Sequence, residues 1–221
     1  VATPSRWVKT ITDTIVDRRY SRDAKIQPLV DNTLKRRLYP NAQGNILQVT
    51  PSHDNTLKRC FAPVVDQRTR LLILGSLPGE ASLAQQQYYA HPQNQFWKLA
   101  SDLIQHDLTK LNYEVRLQTL LRHQIGLWDV VAQAHRRGSL DSQIRQPDQN
   151  DLLHLLTSLP HLRAIGFNGA TASKIGLKTL QNKCENYELY HLPSSSPAYT
   201  LGYAQKRSVW MTMQSALVER S

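Results

Sequence analysis

Leu71-Leu-Ile-Leu-Gly-Ser-Leu-Pro-Gly79 joins an apolar run to a glycine–proline loop. Four consecutive aliphatic residues closed off by glycine and proline have the length of a strand buried on both faces, as in parallel sheets. Gly75 and Gly79 let the backbone approach a ligand closely, and Pro78 stiffens the turn between them. The loop lacks the terminal Gly-Lys-Ser/Thr of a P-loop and the glycine spacing of a dinucleotide fingerprint. Its N–H groups suit a phosphate or a carbonyl to be polarised.

Three more strand candidates follow: Ile125-Gly-Leu-Trp-Asp-Val-Val131, Leu162-Arg-Ala-Ile-Gly-Phe167 and Tyr187-Glu-Leu-Tyr-His-Leu192. Helical patterns separate them at 97–104, 151–159, 170–175 and 204–218, with Asp151 as a cap and Pro160 as a stop for the second. Strands alternating with helices predict an α/β chain, a mostly parallel sheet covered on both faces. Ligands then collect at the carboxyl ends of the strands, where the loops 75–79, 168–170 and 193–199 converge.

Composition narrows the function. The 221 residues suit one domain with a small extension, and 40% apolar with 20% charged residues fits a soluble globular protein. Cys60 and Cys184 have no metal-ligand spacing, so a zinc finger, a zinc deaminase and an iron–sulfur protein are disfavoured, and two free thiols in a reducing cytosol are expected. No apolar stretch reaches the length of a membrane span. A formal charge of +10 and a pI of about 9.8 point to a polyanionic partner such as nucleic acid. The basic clusters Arg18-Arg19, Lys35-Arg36-Arg37, Lys58-Arg59, Arg136-Arg137 and Lys206-Arg207 are dispersed, which suits a folded basic face.

Residues 1–59 read as a basic extension to a domain spanning 60–221. Trp7, Val8, Ile11, Ile15 and Val16 recur at near-helical spacing, and Asp31-Asn-Thr-Leu-Lys-Arg36 returns as Asp54-Asn-Thr-Leu-Lys-Arg59. A repeat so short is no solenoid unit.

The chemistry-bearing segment is Tyr88-Tyr-Ala-His-Pro-Gln-Asn-Gln-Phe-Trp97. Tyr88, Tyr89, Phe96 and Trp97 offer flat faces for stacking on a base, although Phe96 and Trp97 equally suit the start of a buried helix. Gln93 and Asn94 offer amides able to bind a base edge or to hold a water. Asn168 reads as a base or phosphate contact or as an N-cap, and Asp129 as an acceptor for a base or as a helix cap. Leu192-Pro-Ser-Ser-Ser-Pro-Ala-Tyr199 is stiffened by Pro193 and Pro197. Ser194, Ser195 and Ser196 offer donors to phosphate oxygens, and with Tyr199 the loop suits a wedge into a duplex. No Gly-x-Ser-x-Gly elbow is present, which disfavours a serine hydrolase.

At these residues the chain resembles the uracil-DNA glycosylase superfamily, and within it the hypoxanthine (deoxyinosine) DNA glycosylase branch. Gly75-Ser-Leu-Pro-Gly79, Ser82-Leu83, Tyr88–Trp97 as quoted, Gly126-Leu-Trp-Asp-Val130 and Leu192-Pro-Ser-Ser-Ser-Pro197 carry the resemblance across residues 60–219. It implies a three-layer α/β/α sandwich with a four-stranded parallel sheet. It also implies a monofunctional DNA repair glycosylase, monomeric and cytoplasmic, that acts without a cofactor or metal on double- or single-stranded DNA holding a damaged base. Most of the superfamily carries Asn or Asp in the first loop to position water; Leu77 stands there instead, and the resemblance moves the catalytic amide to Asn94. Tyr89, Phe96, Asn168, Asp129, Gly75, Ser76 and Leu77 are the expected base-binding residues. Pro193, Ser194, Ser195, Ser196 and Tyr199 are expected on the DNA backbone and in the wedge. His191 lies one position early for the usual His-Pro-Ser motif. Excision of mismatched uracil or thymine, or DNA binding without catalysis, are the competing readings.

Overall fold

The computed structural model describes residues 57–181 and 183–218. β1 (Leu57–Arg59) opens it, β2 (Leu71–Gly75) follows with every residue buried, and a short α1 (Glu80–Gln85) comes after the next loop. β3 (Ile125–Asp129), β6 (Ala164–Asn168) and β7 (Glu188–Leu192) join β2 in a four-stranded, wholly parallel sheet of order β3-β2-β6-β7. Side chains alternate along a strand, so β2 feeds two cores. Leu71 and Ile73 pack with α2 (Phe96–Ile104), α3 (Tyr113–Arg122) and α6 (Tyr203–Trp210). Leu72 and Leu74 pack with α4 (Leu152–Thr157) and α5 (Ala170–Leu180) on the other face. Each of these four side chains is fully buried, which stabilises the fold by roughly 1.5–3 kcal/mol apiece. The three layers match the expected α/β/α sandwich.

Local signals set several boundaries. Asp151 caps α4 by accepting from the His154 N–H at 3.0 Å. Asn112 does the same for α3, accepting from Val115 N–H at 2.9 Å. The expected single helix over 204–218 is broken: α6 passes into a 3₁₀ turn (Met211–Met213) and then α7 (Gln214–Leu217). Trp210, Met213 and Ala216 are all buried, and a three-residue period brings such side chains into line.

The expected strand 125–131 is also two strands. β3 ends at Asp129, and β4 (Val131–Arg136) leaves the parallel sheet to form a second, antiparallel one of order β1-β4-β5, where β5 is Ile144–Gln149. Its polar residues, and Pro147 on an outer strand, hide it from a search for apolar alternation. Leu57–Arg59, expected in the extension, pair with Gln133–His135 of β4. The expected N-terminal helix and the first copy of the repeat lie outside the described residues.

Candidate active site

The carboxyl ends of β2, β3 and β6 and the loop after β7 enclose a cleft of about 360 Å3. Its lining brings together Gly75, Ser76, Leu77, Tyr89, Asn94, Asp129, Asn168, Ser194, Ser195, Ser196 and Tyr199. Of the expected site residues, Phe96 and Pro193 are not in that lining.

Gly75 is where the floor becomes possible. A Cβ there would lie 2.5 Å from Asp129 Oδ1 and 3.3 Å from the Tyr89 hydroxyl, so only glycine lets both groups converge. Tyr89 takes a left-handed backbone (φ 55°), a costly conformation for an aromatic residue that persists where the surroundings impose it. Its ring stacks on Phe96 with centroids 3.8 Å apart and planes 9° from parallel. Phe96 is fully buried, so it backs Tyr89 rather than meeting a ligand itself. Tyr88 is framework: its hydroxyl donates to Ala62 O at 3.1 Å, and its N–H donates to Tyr113 Oη at 2.9 Å.

Asn94 stands at the rim. Its Oδ1 accepts from Phe96 N–H at 2.9 Å, which fixes the orientation of the amide. Gln95 N–H donates to Ser195 O at 3.0 Å, tying this segment to the serine loop.

Asp129 neither caps a helix nor reaches solvent. It ends β3, is 4% exposed, and its Oδ2 has no hydrogen-bond partner among the described residues. Burial, reinforced by the nearby Asp141 carboxylate and opposed by Arg136, raises its pKa to about 7. The Tyr89 hydroxyl is likewise buried; burial, then the Asp129 carboxylate, pushes its pKa upwards, and the Asn168 side chain beside it opposes them.

Asn168 is not the cap of α5: Gly169 holds that position with no side-chain cap. Its amide pairs with Ser195, donating to Oγ at 2.9 Å and accepting from the Ser195 N–H at 2.8 Å. Gly169 has φ 104°, and its Cβ would lie 3.0 Å from Ser194 Cβ, so glycine allows both the turn and the close approach of the serine loop. Pro193 O accepts from Trp210 Nε1 at 3.1 Å, anchoring the loop to α6. Tyr199 is half-exposed at the cleft edge. His191 pairs with Ser173 at 2.6 Å outside the cleft lining.

Sequence reasoning missed one wall. Ser139, Leu140 and Asp141, from the β4–β5 hairpin, line the cleft, and Ser76 Oγ donates to Asp141 Oδ1 at 2.7 Å. The basic clusters also need correction. Lys58, Arg136 and Lys206 are 5%, 1% and 1% exposed, so each described cluster gives one cation to the interior. Lys58 donates to Gly138 O at 2.7 Å and Lys206 to Tyr199 O at 2.8 Å, where they satisfy backbone carbonyls.

A parallel sheet with a polar-floored cleft at its carboxyl edge, stacked aromatics and a rigid serine loop defines a class. Residues 62–215 match the Uracil DNA glycosylase superfamily, and the chain belongs to it; by class it is a DNA glycosylase. Two relatives are named hypoxanthine DNA glycosylase. That of Methanosarcina barkeri (strain Fusaro / DSM 804) is 40% identical over 153 residues, covering 69% of this chain and 95% of the relative. That of Methanosarcina acetivorans is 42% identical over 154 residues, covering 70% and 96%. The solution NMR structure of a candidate uracil DNA glycosylase from Methanosarcina acetivorans superposes with a TM-score of 0.66 at 40% identity, over 73% of this chain and 99% of that one.

Proposed function

We propose that this protein hydrolyses the N-glycosidic bond of deoxyinosine in DNA and releases hypoxanthine. The observation that carries the reading is the cleft floor, where the Asp129 carboxylate, its Oδ2 unpartnered among the described residues, and the Tyr89 hydroxyl converge over Gly75. A buried polar group left unpaired costs about 1–3 kcal/mol, and a ligand that pairs with it removes that cost. Hypoxanthine presents an N1–H donor beside the O6 acceptor. A carboxylate beside a phenol is the complement, whereas adenine presents the reverse pattern and leaves the carboxylate facing a lone pair. Uracil shares the donor–acceptor edge; the names of the two relatives favour hypoxanthine.

In this reading exposed basic side chains hold the DNA backbone, with Ser194 and Ser196 at the phosphates and Ser195 bracing them through Asn168. Tyr199 enters the stack as the damaged base flips out. The base lies on the face of Tyr89 that Phe96 leaves open. Asn94 holds a water against C1′. The C1′–N9 electron pair leaves with the base as the water oxygen bonds to C1′, and a water proton passes to solvent or to the departing base. N–H groups of the 76–79 loop receive the charge that develops on the base.

A lesion panel tests this. Duplexes carrying deoxyinosine, deoxyuridine or no lesion are incubated with the protein and treated with alkali to cut abasic sites. Cleavage at deoxyinosine is expected. An intact deoxyinosine strand beside a cut deoxyuridine strand would sink the substrate assignment.

A further inference from the structure

The loop 75–79 has two sides, and all five of its carbonyls are engaged. Gly75 O accepts from Val130 N–H at 2.9 Å, Ser76 O from Val131 N–H at 3.1 Å, and Gly79 O from Leu83 N–H at 3.0 Å. The two between them, Leu77 O and Pro78 O, accept from a single side chain, Arg136, through Nη1 at 3.1 Å and through Nη2. In a planar trans peptide the N–H points opposite to the carbonyl. Each carbonyl opposes the N–H of the next residue: holding Gly75 O and Ser76 O orients the N–H groups of Ser76 and Leu77, and holding Pro78 O orients that of Gly79, all on residues that line the cleft. Pro78 has no N–H, and Glu80 N–H is taken by Ser139 Oγ at 2.9 Å.

Arg136 is built in for this. It is 1% exposed, its Nε donates to Gly138 O at 3.1 Å, and Asp141 lies 3.7 Å from Nη1. Asp141 in turn accepts from Ser76 Oγ. The β4–β5 hairpin therefore grips Ser76 through Asp141, Leu77 and Pro78 through Arg136, and Glu80 through Ser139, while Lys58 of β1 also pairs with Glu80. Without the guanidinium, two buried carbonyls lose their donor, and turning either into the cleft sets an oxygen lone pair against the electron-rich departing base.

We infer that Arg136 is a positioning residue for the leaving group: its planar fork pins Leu77 O and Pro78 O, which fixes the Leu77–Gly79 backbone and aims the Gly79 N–H at the departing base. The inference rests on the glycosylase reading above and on no particular choice of base. It explains how a first loop carrying Leu77 in place of an acid or amide still serves the reaction.

The test pairs single-turnover excision with affinity for a duplex holding a stable abasic-site analogue, for wild type, Arg136→Met and Arg136→Lys. Misaligned transition-state donors cost on the order of a hundredfold in rate, so Arg136→Met should lose about that much. Arg136→Lys keeps the charge but can hold only one carbonyl well, and should lose roughly tenfold. Both should bind the abasic duplex within about threefold of wild type, because that ligand carries no leaving base. Rates that stay at the wild-type value, or affinities that fall in step with the rates, overturn the inference. If Arg136→Met does not fold, Arg136→Lys decides alone, and a wild-type rate for it overturns the inference. A wild type that spares deoxyinosine but excises another base refutes only the substrate reading, and the comparison is made on that base. A wild type that excises nothing overturns both.

Discussion

In the proposed reaction, Asn94 and Asp129 divide the work. Asn94 has its carbonyl oxygen tied to Phe96 N–H and its amide at the cleft, which suits it to hold a water rather than to ionise one. Asn94→Ala should lower excision by about a hundredfold or more with DNA affinity little changed, since positioning acts on the chemical step. Asp129 makes a pH prediction. Its pKa rises from 3.8 to about 7 mainly because the carboxylate is buried. The folded state therefore holds the proton more tightly than the unfolded chain. Its stabilising effect is complete below about pH 4 and is lost as pH rises through about 7, a decline of about 4 kcal/mol at roughly 1.4 kcal/mol per unit. Asp129→Asn should melt well above wild type at pH 8 and converge with it near pH 4. Parallel melting curves for the two proteins across that range would contradict the buried-carboxyl account. Excision should also rise with pH through about 7, because the carboxylate is the form that accepts N1–H, and the Asn variant should lose that limb.

At the scale of elements, the site is a set of strand ends joined by loops that brace one another. The link between β6 and the serine loop depends on Gly169. Gly169→Ala places a methyl 3.0 Å from Ser194 Cβ on a backbone with φ 104°. It should cost about 1–3 kcal/mol of stability, read by denaturant unfolding, and slow excision by shifting the loop. The elements also show what a sequence can reveal. Leu71–Leu74, Phe167 and the leucines of α4 were readable because burial writes an apolar pattern into the chain. The β4–β5 hairpin was not, because its pairing is backbone-driven and its side chains are polar. Arg136 illustrates the difficulty: beside Arg137 it reads as half of a surface cluster, yet it is fully interior. That Tyr89, Asn94 and Asn168 belong to one cleft was legible, but not that both ends of the Asn168 amide pair with Ser195. That pairing joins positions 27 apart and leaves no local signature.

For the whole molecule, the charge of +10 overstates the surface available to DNA, since Lys58, Arg136 and Lys206 are interior. Affinity for DNA should still fall linearly on a log–log plot against salt, with a slope of about −0.9 per phosphate neutralised. Arg136→Met should leave that slope unchanged, whereas neutralising an exposed cation that meets a phosphate should reduce it by about one. The limits of the catalytic domain make a second prediction. Because β1 pairs with β4, and Lys58 reaches Gly138 and Glu80, a chain starting at Leu57 should keep its melting temperature better than one starting at Phe61. Equal melting temperatures would show that β1 adds nothing to the domain.

In the proposed reaction this cleft releases hypoxanthine from DNA while Asn94 holds the water. The most direct measurement is the time course of free hypoxanthine released from a deoxyinosine duplex under single turnover, for wild type and Asn94→Ala side by side. The account predicts complete release by wild type and a rate lower by about a hundredfold or more in the variant. No hypoxanthine released by wild type, or equal release by the two proteins, would contradict it.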